Sequence, residues 1–297
     1  IMITSTHSDV LFFTNKGRVY KLRAYEIPEA GRVAKGTNII NLIAIEPDER
    51  IETVLSIRDN TKDGFLFMAT KQGIVKKTPL SDFKNLRKNG LIAINLREGD
   101  ELLKVKVTRG DANIIIVTQN GYAVRFSEKN VRAMGRTASG VRSINLKDDD
   151  IAVCMDIAVD SEDLLIISEY GFGKRTPISE YKVQNRGGVG LITYKISEKT
   201  GKVVGATMCN ELDELMLINS SGVAIRINVK DISVTGRSAM GVTLMRTNED
   251  EKVVAVAKIS GSEEENTEEQ IDILDDYNDK DDILDELVNR AQSDSEE

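Results

Sequence analysis

Residues 171–190, G-F-G-K-R-T-P-I-S-E-Y-K-V-Q-N-R-G-G-V-G, decide the fold, because four other stretches of the 297-residue chain share their skeleton. In each, a glycine closes an apolar run and a base stands four residues later. The glycines are Gly17, Gly73, Gly121, Gly171 and Gly222; the bases are Lys21, Lys77, Arg125, Arg175 and Arg226. A second glycine follows about 19 residues after the first, at Gly36, Gly90, Gly140, Gly190 and Gly241. Four residues before it an arginine recurs in four copies, as Arg32, Arg136, Arg186 and Arg237. The second copy departs, with Leu86 there and Arg87 beside it.

Working outward, the first glycines lie 56, 48, 50 and 51 residues apart, and each unit holds four short β-rich segments. That period is the signature of an all-β bladed toroid. In the first unit the segments are 1–6, 10–14 and 18–22, joined at the turn Asn15-Lys16-Gly17, and after a longer connection 39–44. The second repeats this at 51–57, 65–70, 74–78 and 91–96. Two strands meeting at a glycine turn read as a hairpin. The units run over about 1–45, 51–97, 101–147, 151–197 and 202–248, the later ones opening after a charged turn such as Asp148 to Asp150. A closing segment, 252–259, matches only the opening strand of a sixth unit. Such an orphan exposes pairing edges, so it is expected to borrow partners from another blade or from chain before Ile1.

The net charge of −8 is unevenly divided. Residues 261–297 carry 16 acids against two bases, Lys280 and Arg290, which leaves 38 bases and 32 acids in a weakly basic body, residues 1–260. The acidic tail, poor in aromatics, reads as solvated and mostly disordered. Within it Ile283, Leu284, Leu287 and Val288 fall on one helical face, so a docking helix and a merely solubilising tail both fit. No run of the sequence has the apolar length of a membrane span and the start lacks signal-peptide order, which reads as cytoplasmic. Cys154 and Cys209 read as buried free thiols.

Much chemistry is excluded. His7 is the only histidine, and no Cys-x-x-Cys pair, Walker loop or dinucleotide fingerprint in its required setting is present. Neither catalysis within the chain nor a metal or other cofactor is expected. What remains is the repeated base, placed on the third strand of each blade, with Lys76 and Lys174 just before two of them. These bases either guard strand edges against association or form a belt for phosphates. Constancy favours the belt, since no acid occupies the position in any copy. The belt reading requires the bases to face outward rather than turn inward to acidic partners. The Gly-Arg-x-x-x-Gly loops at 31–36, 135–140 and 236–241 also have two compatible readings: positive φ, or backbone N–H groups offered to an anion with arginine alongside.

Several motifs resemble the C-terminal domain of the A subunit of bacterial DNA gyrase. They are T-N-K-G-R-V-Y-K-L-R-A-Y-E-I-P-E-A (14–30), K-N-G-L-I-A-I-N-L-R-E-G-D-E-L (88–102), V-R-A-M-G-R-T-A-S-G-V-R (131–142), Y-G-F-G-K-R-T-P (170–177) and the acidic tail. The resemblance implies a β-pinwheel of five to six four-stranded blades that exchange strands, with a rim that bends double-stranded DNA without reading its sequence. It implies as partners the remainder of the A subunit together with the B subunit, in an A2B2 assembly whose catalytic tyrosine and ATP hydrolysis lie outside this chain. As DNA-binding residues it nominates Lys21, Lys77, Arg125, Arg175, Arg226, Arg32, Arg87, Arg136, Arg186, Arg237, Lys76 and Lys174. The family's gyrase box, Q-R-R-G-G-K-G, is matched only by a degenerate copy, Gln184, Asn185, Arg186, Gly187, Gly188, Val189 and Gly190. Two alternatives stand beside this reading: the related domain of the topoisomerase IV A subunit, and a propeller that binds proteins.

Overall fold

The computed structural model describes residues 2, 4–31, 33–58, 63–84, 86, 90–248 and 250–261. The acidic tail and its possible helix lie outside them. Five hairpins form where two apolar, β-branched runs flank a glycine turn: Asp9–Thr14 with Arg18–Arg23, Phe65–Thr70 with Ile74–Pro79, Asn113–Thr118 with Tyr122–Ser127, Asp163–Ser168 with Phe172–Pro177, and Glu214–Asn219 with Ala224–Asn228. At each tip the glycine N–H donates to the carbonyl three residues back, as Gly171 does to Ser168 at 3.0 Å. Gly171 has φ +74°, the left-handed residue that lets a three-residue loop match strand twist.

Each sheet is completed by the repeat that follows. The opening strand of repeat n+1 pairs antiparallel with the first hairpin strand of repeat n, and a two-residue strand late in repeat n+1 pairs with the second. Thus Ile51–Ile57 and Leu91–Ile92 flank the first hairpin, and Leu102–Thr108 and Val141–Arg142 the second. Ala152–Ile157 and Leu191–Ile192 complete the third, and Val203–Cys209 and Val242–Thr243 the fourth. The expected exchange of strands is therefore present. The orphan segment finds its partner in the same way: Val253–Ile259 pairs with Glu214–Asn219, giving the fifth blade three strands among the described residues.

Two expected strands are not formed, for one reason. Residues 4–6 are irregular, and Ile39–Asn41 is a 3-10 turn rather than part of a strand over 39–44. By the exchange rule both segments would pair with the hairpin of a preceding repeat, and the described residues include no such hairpin for the first repeat. The strand expected over 91–96 stops at Ile92, because Ala93 and Ile94 both turn to donate to the Gly17 carbonyl, at 2.8 and 3.2 Å.

Successive opening strands touch one another and so surround the centre of the ring. The two-residue strands and the connections leading to them form its outer edge. First hairpin strands are sandwiched on both faces, so they read as unbroken apolar runs such as Leu164 to Ile167, all fully buried. Core clusters lie between adjacent sheets; one joins Ile115 and Val117 to Leu164 and Ile166. Cys154 and Cys209 are buried and free, and burial pushes the Cys209 thiol up to about 12. The acidic turn 148–150 is structural: buried Asp150 accepts from the Asn120 and Ile151 N–H groups, each at 2.9 Å, fastening the preceding hairpin tip.

Candidate nucleic-acid interface

The bases four residues after each first glycine do not form an outward belt. Arg175 is buried: Nε donates to the Ile232 carbonyl at 2.9 Å, Nη2 to that of Lys230 at 3.4 Å, and Nη1 pairs with Asp163 at 3.2 Å. Arg125 is buried likewise, on the carbonyls of Ile178 and Tyr181 at 3.3 Å each and on Asp160. Lys77 donates to the Glu128 carbonyl at 3.1 Å beside the buried Glu128 carboxylate, and Lys21 reaches the Lys84 carbonyl at 3.4 Å and Asp9 at 3.1 Å. In every case the acceptor carbonyl belongs to the 3-10 turn of the next repeat or its flanking residues: Leu80–Phe83, Glu128–Asn130, Ile178–Glu180 and Val229–Asp231. A cation caps the carbonyl end of such a turn well, and at Glu128 and Ile178 it does so beside the Val131 and Tyr181 N–H groups from which the same carbonyls accept. The same residues carry the backbone link between repeats, since Met134, Gln184 and Thr235 each donate an N–H to the carbonyl of Lys77, Arg125 and Arg175 at 2.8 Å. The constancy that suggested a phosphate belt thus has a structural cause, a latch between repeats. Arg226 is the exception; with no described repeat after it, it lies exposed against Glu214, its Nε 2.7 Å away.

Lys76 and Lys174 are also turned inward. Both are fully buried, one residue before the latch and on the opposite face of the strand. Lys76 Nζ donates to the Ala93 carbonyl at 2.6 Å and to that of Arg136; Lys174 Nζ donates to Gly236 at 2.7 Å and to Arg237. Burial lowers each amine to about 8. They hold the two Gly-Arg loops from beneath.

The loop arginines fare differently. Arg32 and Arg87 lie outside the described residues. Arg136 and Arg237 are half-buried with no side-chain partner among the described residues. Arg186, in the degenerate box, folds back onto the protein: Nε donates to the Asn130 carbonyl and Nη1 to that of Arg142, both at 3.0 Å. Around it Gln184 is bonded to Arg125, the Gly187 N–H donates to Ser143 at 2.6 Å, and the Gly188 carbonyl accepts from Asn145 at 2.8 Å. Gly190 packs its α-carbon against the Ala123 carbonyl, and Asn185 is exposed and Val189 half-buried at the loop surface.

A different set of cations occupies the outer edge. Between residues 129 and 147 the chain carries five bases and no acid: Lys129, Arg132, Arg136, Arg142 and Lys147, all exposed except half-buried Arg136. Equivalent connections carry Lys182, Arg186, Lys195 and Lys199 in the fourth repeat and Lys230, Arg237 and Arg246 in the fifth. Among the described residues none of these forms a salt bridge, whereas the latch bases all do. Lys147 and Lys199 instead lie over the rings of Tyr122 and Phe172, at 5.8 and 5.3 Å. Cations that no carboxylate neutralises, repeating along a curved edge, are an electrostatic track for a polyanion. The repeat-by-repeat comparison missed most of them because they do not keep one register. The signal was available in another form: connections rich in bases and poor in acids.

The sequence profile of the family described as "DNA gyrase C-terminal domain, beta-propeller" matches residues 8–58, 64–109, 112–153, 162–210 and 213–260, one interval per blade. The chain belongs to that family. It is 56% identical over 273 residues to the DNA gyrase A subunit of Clostridium acetobutylicum, and 48% identical over 263 residues to that of Staphylococcus epidermidis. These alignments cover 92% and 88% of this chain but 33% and 30% of the relatives, so the chain spans about a third of their length. Among solved structures it is similar to a DNA gyrase A C-terminal domain, with 30% identity and TM-score 0.74, covering 86% of this chain and 84% of the other. It is also similar to the C-terminal domain of a DNA topoisomerase IV, with 28% identity and TM-score 0.81, covering 86% and 80%. No helix among the described residues is long and apolar enough to cross a membrane.

Proposed function

We propose that this gyrase-family domain binds double-stranded DNA along its outer edge and curves it there, presenting a segment for strand passage so that gyrase introduces negative supercoils. The observation that carries the reading is the set of bases on the connections of repeats three to five that form no salt bridge among the described residues, above all in the acid-free span 129–147. Bending a duplex halfway around a disc of this size costs on the order of 10 kcal/mol. No single contact offsets that, so the attraction has to be distributed. Neutralising roughly ten phosphates gives log K against log salt a slope near −9. Lysines and arginines aimed at phosphates position the duplex without reading bases, so sequence preference is small.

Charge reversal tests the placement. Arg132→Glu, Arg136→Glu and Arg142→Glu together should abolish retardation of a linear duplex at moderate salt and make the slope shallower by about three. Arg226→Glu, at the exposed latch position away from that span, should change neither much. Unaltered retardation by the triple variant, or a wild-type slope shallower than about −3, would overturn the reading.

Three finer statements belong to the same proposal. The domain works in the cytoplasm within an A2B2 assembly with the gyrase B subunit, and the catalytic tyrosine and ATP hydrolysis lie in parts outside this chain. The tail, with 16 acids against two bases, competes with DNA for the cationic edge. Deleting residues 262–297 should tighten binding at low salt. A second reading, the C-terminal domain of topoisomerase IV, is favoured by the higher TM-score, 0.81 against 0.74, while identity to the gyrase A subunits favours gyrase. Negative supercoiling of relaxed plasmid by the complete enzyme separates them.

A further inference from the structure

The three described Gly-Arg or Arg-Gly loops on the outer edge are supported in two ways. Beneath loops 135–140 and 236–241 the hairpin offers a buried lysine, Lys76 or Lys174, whose amine takes the loop carbonyls of Arg136, Gly236 and Arg237. Beneath loop 184–190 the same hairpin position holds Val124, fully buried and unable to donate. There the arginine is drawn onto the preceding repeat instead, with two of its guanidinium N–H groups committed to the Asn130 and Arg142 carbonyls. Where the lysine is present the arginine side chain has no partner among the described residues. Where it is absent the arginine is tied down.

We propose that Lys76 and Lys174 are positioning residues for DNA binding: by supporting their loops from inside they release Arg136 and Arg237 to meet phosphate, a release that Val124 denies Arg186. This rests on the reading that the outer edge binds DNA. The donor balance supports it. A buried carbonyl left without a donor is costly, and a guanidinium can serve either a carbonyl or a phosphate with a given N–H group. Fully burying an ammonium is itself unfavourable, so two such lysines at equivalent sites mark a retained constraint rather than packing filler. The geometry also explains why these two bases, though next to the latch residues in sequence, do not duplicate them: alternate strand positions face opposite sides of the sheet.

The test is a double-mutant cycle on the full 297-residue chain, read as affinity for a linear duplex and its salt slope. Arg237→Ala should weaken binding several-fold and make the slope shallower by about one. Lys174→Met should do the same although it removes no surface charge, and the two together should lose no more than either alone. Lys76→Met with Arg136→Ala gives an independent second cycle. Additive losses, or undiminished affinity in Lys174→Met while Arg237→Ala binds weakly, would overturn the proposal. If Arg237→Ala and Arg136→Ala leave affinity unchanged, the edge-binding reading fails instead. The converse variant, Val124→Lys, should strengthen binding and steepen the slope by about one, and the gain should vanish in Arg186→Ala. Circular dichroism confirms the fold of each variant, and if Val124→Lys does not fold the two lysine cycles decide.

Discussion

Arg175 and Arg226 hold the same place in consecutive repeats, and their surroundings have almost nothing in common. The Arg175 side chain is 4% exposed, among two carbonyls and two carboxylates of its own and the following repeat. That of Arg226 is 58% exposed and, among the described residues, pairs only with Glu214. Both hairpins have a glycine turn and the same antiparallel register. What differs is the next repeat, whose turn and two-residue strand cover the fourth hairpin and have no counterpart on the fifth among the described residues. Burial in this fold is therefore conferred from outside each repeat. A position that recurs in sequence marks a recurring neighbour, and where the neighbour is missing the side chain reverts to an ordinary surface ion pair.

The largest effect follows directly. Arg175→Ala leaves two turn carbonyls without their donor and Asp163 without its partner, and should destabilise the fold by about 3 kcal/mol. Arg226→Ala removes an exposed pair and should cost about 0.5 kcal/mol or less. Urea unfolding of the two variants measures both. Equal losses would break the comparison, because they would mean that the latch contributes nothing beyond the hairpin.

The turn glycines sharpen the same contrast with a smaller effect. Gly171 and Gly222 both have positive φ, +74° and +84°. A Cβ on Gly171 would overlap the Met245 carbonyl oxygen of the following repeat, while a Cβ on Gly222 meets nothing within 4 Å. Gly222→Ala should thus cost only the backbone strain, about 1 kcal/mol, and Gly171→Ala roughly 2 kcal/mol or more in the same denaturation experiment. If the two substitutions prove equivalent, the covering repeat packs less closely than these distances indicate.

These contrasts show where the sequence was legible. Period and turn chemistry placed the hairpins within a residue or so, because local φ requirements and apolar alternation are written into Gly171 and the runs on either side. Strands that depend on a partner elsewhere were read less well: 39–44 has the same apolar character as 91–96, yet only the latter finds a hairpin edge. Burial of Lys77, Arg125 and Arg175 was illegible from their own repeat, since the carbonyls that bury them come from about 50 residues onward. Charge type says that a base is needed, and only the fold says whether phosphate or protein needs it. The unpaired cations of 129–147 were legible as composition but not as alignment.

The smallest effect concerns the position just before the latch, occupied by Lys174 in the fourth hairpin and Ile225 in the fifth, which has no loop to support among the described residues. Desolvation lowers Lys76 and Lys174 from 10.5 to about 8. Arg136 deepens the shift at Lys76 and Asp82 opposes it, whereas Arg237 deepens that at Lys174 and Glu180 opposes it. Tyr194, whose ring lies 6.0 Å from Lys174 Nζ, is pushed up by burial. Between pH 8 and 10.5 the unfolded chain keeps a proton that the folded chain has released, so the lysines' contribution makes stability rise with pH there. Below pH 8 both states are protonated and the buried charge is carried at full cost. The neutral amine still has two N–H groups for its two carbonyls, so the loop stays supported while the desolvated charge disappears. Raising the pH from about 7.5 to about 9.5 should therefore stabilise the wild-type chain, relative to Lys76→Met/Lys174→Met, by on the order of 1 kcal/mol per lysine. A difference that stays flat, or falls, across that interval would show that the two amines are hydrated in solution, and the donor balance argued for Arg136 and Arg237 would fail with it.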